Sequence, residues 1–124
     1  MKTVLDLYQR VRANFPTITK LADRIHIRQW GELNHDDAYS WFESLANALN
    51  AEMQKQTDYQ NHRALFDFLS CALTGTSEEI HNCIDVAFVE NLFWQVSQAK
   101  CAPYWQQLPQ PLRNLYQEFH HKEP

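Results

Sequence analysis

The chain has 124 residues, 44% of them hydrophobic, and only two glycines and five prolines. That is enough apolar side chain to bury one continuous core unaided and too little linker for a second domain or a disordered chain, so residues 1–124 read as one domain. The formal net charge of -4 gives a phosphate-tracking surface no global support and makes a basic partner the better match.

Thr3 and Asp6 have capping-box spacing and Leu7, Val11 and Phe15 recur at helical intervals, so a first helix opens at Thr3 and Pro16 stops it. Ile18, Leu21, Ala22 and Ile25 suggest a short second helix, and His26 to Leu33, with β-branched residues and Gly31, reads as a connection. Asn34-His35-Asp36-Asp37 is the clearest start, an Asn to accept orphan amides and two carboxylates at the positive end of the dipole. Ala38, Trp41, Phe42, Leu45, Ala46, Leu49 and Met53 then mark one apolar face. Ser40, Glu43, Asn47 and Asn50 mark the opposite one, the pattern of an amphipathic, half-exposed helix.

Asp58 opens a further helix with Leu65, Phe66, Leu69, Ala72 and Leu73 on its buried face, and Gly75 is placed to end it at positive φ. Thr76 and Glu79 again have capping-box spacing, and the stretch 77–98 that follows is apolar nearly all round, which predicts a buried central helix. Glu90 inside it should bond neighbouring donors and hold the fold together. Lys100 to Gln107, with Pro103, reads as a connection. Pro111 falls in the first turn of a last helix carrying Leu112, Leu115, Tyr116 and Phe119, and the tail from His120 should fray. The expected architecture is all-α, a compact bundle of five to six helices around the central helix at 77–98.

Met1 to Leu7 show no export leader, and apolar runs such as Val86 to Val89 are far too short to cross a bilayer, so a soluble, cytoplasmic protein without membrane contact is expected. Cys71, Cys83 and Cys101, odd in number and widely spaced, read as small core residues. No His-Glu-x-x-His run occurs, and His26, His35, His62, His81, His120 and His121 do not pair with carboxylates as a bundle metal site demands; neither metal nor cofactor is expected. His35-Asp36 resembles part of a metal phosphohydrolase motif, yet its place at a helix start already explains it. With Gly31 and Gly75 as the only glycines there is no phosphate-cradling loop. Of the four tryptophans, Trp41 suits the core, while Trp30 and Trp105 suit an interface.

Arg113, a following polar Asn114 and then His120 resemble the motif of the HEPN-type ribonucleases, which are also small and all-helical. Seven residues is close to two turns, so guanidinium and imidazole share a helix face, one to steady a phosphoryl oxyanion and the other to move a proton. The same positions are where an amphipathic C-terminal helix ordinarily carries polar side chains.

A wider resemblance runs from Phe15-Pro16 through the helix at 36–54, Leu65-Phe66-Asp67-Phe68-Leu69, Ile84-Asp85-Val86-Ala87-Phe88-Val89-Glu90-Asn91-Leu92, Trp105-Gln106-Gln107-Leu108-Pro109 and Tyr116. On these residues the chain is similar to a family of short all-helical bacterial proteins that looks like the immunity proteins of polymorphic toxins and contact-dependent growth inhibition. The resemblance implies a non-enzymatic inhibitor that binds a cognate toxin domain, often a nuclease, without contacting nucleic acid itself and remaining a monomer or weak dimer when free. A nuclease must be basic to hold phosphates, so an acidic inhibitor surface would add speed and specificity of association. Glu32, Asp36, Asp37 and Glu43 around one helix start, and Glu78, Glu79 and Asp85 around another, are the candidate contacts, although carboxylates there also act as plain helix caps.

Overall fold

Capping side chains set most of the helix starts. The computed structural model describes residues 1–124 and contains seven α-helices and no strand. Helix α1 (Val4–Asn14) opens on a true capping box: Thr3 Oγ1 accepts the Asp6 amide at 3.1 Å while Asp6 accepts the amides of Lys2 and Thr3. Those amides, Lys2 first, hold the Asp6 carboxyl below its ordinary value. Pro16 ends α1 and also begins α2 (Pro16–Trp30), where its missing N–H costs nothing.

Helix α2 runs five residues past Ile25, where the sequence suggested a connection. His26 is fully buried with Nδ1 3.0 Å from Ser44 Oγ, and this burial outweighs the weak helix propensity of Ile25 and Ile27. The helix ends at Gly31, which supplies the left-handed cap at φ +87° with its amide on Ile27. Gly75 has no such role, since its φ is not positive.

Asn34 accepts the Asp36 amide at 2.9 Å and starts a 3-10 turn (His35–Asp37) that leads into α3 (Ala38–Gln54). Helix α3, and not the stretch 77–98, is the central element. It packs against α1, α2, α6 and the irregular segment after α5, and it buries ten side chains including Ser44 and Asn50. Small and hydrogen-bonded polar residues let it be covered on sides that the apolar stripe alone marks as exposed.

A 3-10 turn (Tyr59–Asn61), with Asp58 accepting the Gln60 amide, brings in α4 (Arg63–Leu73). Ser77, rather than Thr76, caps the short α5 (Glu78–Asn82) by accepting the Ile80 amide. Glu79 is thereby free to accept the Val4 amide at 2.9 Å and tie α5 to the start of α1. The expected long helix stops at Asn82. A π turn (Cys83–Phe88), a 3-10 turn (Val89–Asn91) and a non-helical stretch to Val96 replace it.

Residues 98–107 form helix α6 (Gln98–Gln107) despite Pro103. Burial of Cys101, Tyr104 and Trp105 secures it against a helix penalty for proline of roughly 3 kcal/mol. Helix α7 (Gln110–His120) closes the bundle.

Three side-chain clips join these helices. Arg12 donates twice to Asp23, at 2.7 and 2.8 Å, and Trp41 Nε1 donates to the same carboxylate at 2.8 Å, linking α1, α2 and α3. His62 Nε2 donates to Glu52 at 2.9 Å between the end of α3 and the start of α4. Tyr104 on α6 donates to the Thr57 carbonyl at 2.8 Å. Cys83 and Cys101 are core residues as expected, whereas Cys71 is exposed. No helix is long and apolar enough to cross a membrane.

Candidate functional site

The most unusual backbone in the molecule lies between Asn82 and Val96. This segment runs alongside α3, fastened at both ends. At one end Tyr39 donates to the Asn82 carbonyl at 3.5 Å and accepts from Asn82 Nδ2 at 3.0 Å. At the other, buried Asn50 accepts the Phe93 amide at 2.7 Å and donates to the Asn91 carbonyl at 2.9 Å, while Gln54 donates to the Gln95 carbonyl at 2.9 Å. Asn91 bonds back to the Ala87 carbonyl at 2.8 Å.

Those bonds hold a strained path. Phe93 and Gln95 both lie in the left-handed region, at φ +71° and +57°, where a side chain costs about 1 kcal/mol or more. Phe93 turns inward against Trp105 and Tyr116, at ring-centroid distances of 5.9 and 5.4 Å. Trp94 between them is 61% exposed, more than any other large apolar residue of the chain. The molecule thus uses a buried Asn50 and an exposed Gln54, both on its central helix, to hold a kinked backbone that leaves an indole in water. A chain selected only for stability would bury that ring, worth roughly 1.5–3 kcal/mol, or replace it.

Carboxylates line the same segment. Burial raises the Asp85 carboxyl, with His81 opposing and Glu118 of α7 adding to the shift; Glu90 is raised by burial and then by Asp85. The Tyr39 phenol is raised by burial, and Cys83, Glu90 and Asp85 add to it. Asp36 and Glu43 stand one turn before and one turn after Tyr39. The Tyr39–Asn82 link joins the helix that carries Glu43 to the segment that carries Asp85 and Glu90. Glu90, expected to bond neighbouring donors, makes no hydrogen bond and is half-buried: the π turn carries it to the outer edge of the segment, beyond the interior position of a regular helix.

The other candidates fall elsewhere. Glu32 is exposed in the α2–α3 connection, Asp37 is half-buried at the start of α3, and Glu78 is exposed in the first turn of α5. Glu79 serves the Val4 amide. No hydrogen bond joins Arg113 to His120, and Arg113 Nε, like His120 Nε2, is buried without a partner. The Arg113 guanidinium lies 5.7 Å over the Trp105 ring, whereas His120 stacks on Tyr116 at 4.1 Å with its Nε2 sealed and unbonded. Trp105, read as suited to an interface, is buried, and Trp30 is 53% exposed. Glu78, His81 and Asp85 have helical ligand spacing, yet no three His, Cys, Asp or Glu side chains converge to hold a metal ion.

Trp94, Val86, Asn50 and Gln54 were not singled out from sequence. The available signal was Leu92-Phe93-Trp94, three consecutive large apolar residues that a one-sided helix cannot bury together.

Fold and site together define a class: an all-helical domain that carries an acidic ridge with an exposed tryptophan. Residues 8–122 match the family described as Domain of unknown function (DUF7674), and the chain belongs to that family. No curated protein and no solved structure matches it.

Proposed function

We propose that this protein is an intracellular immunity protein that binds a cognate bacterial toxin domain through the 82–95 ridge and blocks its active or binding surface. The observation that carries the reading is Trp94, held in solvent by strained backbone and by side chains drawn from the central helix. Local strain kept in place by surrounding structure is typical of sites with a task, and exposed Trp is the residue most enriched among interface hot spots.

The chemistry favours a macromolecular partner. Val86 and Trp94 give the ridge apolar contact, and Asp85, Glu90 and Glu118 give it negative charge whose desolvation a cationic surface would repay. A basic toxin such as a nuclease has that surface. Its inhibitor would occupy the phosphate-binding region, associate rapidly at low salt and lose on-rate as ionic strength rises.

The test is co-expression with each candidate toxin domain encoded beside the gene, followed by affinity capture of a 1:1 complex. Growth rescue together with capture is expected. Failure of both removes the immunity reading, and RNA cleavage by the purified protein, lost on joint replacement of Arg113 and His120 by Ala, would replace it.

A further inference from the structure

Charge is divided along the chain in a way that the net value hides. Residues 1–31 hold six of the eleven Lys and Arg but only two of the fifteen Asp and Glu. One of those two, Asp23, is the only acid of α2, and its carboxylate is turned onto Arg12 and Trp41. The outer face of α2 is therefore left with cations alone. Lys20, Arg24 and Arg28 are exposed at i, i+4 and i+8, and they make no hydrogen bond or ion pair within the protein, unlike Arg12, Lys55, Arg63 and Lys100. Like charges at i, i+4 work against a helix, so a face selected for stability alone would alternate them with Glu.

Apolar surface lies beside the row. Ile27 is 45% exposed and Trp30 is 53% exposed, and the Trp30 ring leans on that of buried His26 with 6.2 Å between centroids. The indole is thus held in place while half of it stays in solvent. Glu32, exposed beyond Gly31, marks where the row ends.

The pattern suits a strand of phosphates whose bases are free to stack. Four residues of helix rise about 6 Å, so three long cationic side chains can follow successive phosphates, and an exposed indole takes a base that is not already stacked in a duplex. A lipid surface fits less well, because an interfacial helix presents a broad apolar face and α2 has buried its own against α1 and α3. We propose that the outer face of α2 binds single-stranded nucleic acid, with Lys20, Arg24 and Arg28 on the backbone and a base on Trp30. This surface lies on a different element from the 82–95 ridge and does not depend on the role assigned to that ridge.

The probes are a fluorescein-labelled oligouridylate and an oligothymidylate of about twelve nucleotides, titrated with the full chain at low salt and read by anisotropy. At least one should bind saturably, the tighter of the two identifying the natural sugar. The dissociation constant should be on the order of 10 µM and the slope of log affinity against log salt about -2, the value for three phosphates on a single strand. Arg24→Glu should weaken binding at least about tenfold. Its new i, i+4 pairs with Lys20 and Arg28 should preserve or raise the melting temperature, which separates lost binding from lost folding. Lys122→Glu, the same change of charge in the exposed tail, should leave affinity within about twofold. Trp30→Ala should cost at least about fivefold, and Trp30→Tyr should restore most of it. No saturable binding of either oligonucleotide, equal losses in Arg24→Glu and Lys122→Glu, unchanged affinity in folded Trp30→Ala, or equally tight binding of polyglutamate or of phosphatidylglycerol vesicles would overturn the proposal.

Discussion

The α1–α2–α3 junction and the 82–95 ridge both rest on the central helix, and they use its polar side chains in opposite ways. At the junction, Trp41 donates to Asp23 and helps a partly buried ion pair with Arg12 close three regular helices on one another. At the ridge, Asn50 and Gln54 hold backbone that is neither helical nor relaxed, and the residue at its apex faces outward. The first arrangement adds cohesion to the core. The second uses one buried and one exposed side chain to maintain an exposed shape, which is why the proposed function is assigned to it.

The contrast can be broken at its anchors. Asn50→Ala should have the largest effect on stability, about 2–4 kcal/mol by chemical denaturation, because it leaves a buried amide and a carbonyl of the ridge unpaired together. Asp23→Ala should follow at about 1–3 kcal/mol, since it strands the Arg12 guanidinium and the Trp41 indole N–H in partly buried positions. A loss at Asn50 no greater than that of an ordinary surface substitution would show that the ridge holds its shape without α3.

Gln95→Gly should sharpen the comparison by running the other way. Relieving a left-handed side chain that makes no bond of its own should stabilise the fold by up to about 1 kcal/mol and raise the melting temperature. A fall would mean that the backbone there is not strained.

The smallest effect comes from charge. The folded-state carboxyl of Asp85 lies above its ordinary value, so the folded state holds its proton more tightly than the unfolded chain does. Its ionisation opposes folding at neutral pH, and that opposition fades as pH falls through the folded value. Asp85→Asn should therefore stabilise slightly at pH 7, by less than about 0.5 kcal/mol, and not at all well below the carboxylate range. Asp6, shifted down by the Lys2 and Thr3 amides, has the opposite sign: its contribution is present above the ordinary carboxylate value and is lost as acid protonates it.

Much of the fold could be read from the sequence where local chemistry and packing agree. The Thr3 capping box, the Asn34 cap, Pro16 between two helices and Pro111 in the first turn of the last are all visible as spacing. The reading failed where tertiary contacts override propensity. His26 on Ser44 extends α2 to Gly31, and the burial of Tyr104 and Trp105 carries α6 across Pro103. It failed differently at 77–98, where an all-round apolar pattern reports burial and not geometry; a π turn packed on α3 buries Cys83, Ile84, Ala87 and Phe88 without a regular helix. Of the site, the acidic residues at the two helix starts were legible as charge, but the Tyr39–Asn82 link between those elements spans 43 positions of sequence and needs the fold. Trp94 was hidden because the backbone that exposes it depends on bonds from Gln54 and from Asn50, which the periodic pattern assigns to a solvent face although it is buried.

The central claim is that the ridge presents Trp94 to a protein partner, and the affinity of Trp94→Ala for the toxin domain captured in the co-expression test measures it most directly. With its indole already in water, the variant should melt within a degree or two of the parent, yet bind at least about 30-fold more weakly, as the loss of a central tryptophan anchor of about 2 kcal/mol or more requires. A stably folded Trp94→Ala that binds the toxin as tightly as the parent would contradict the account.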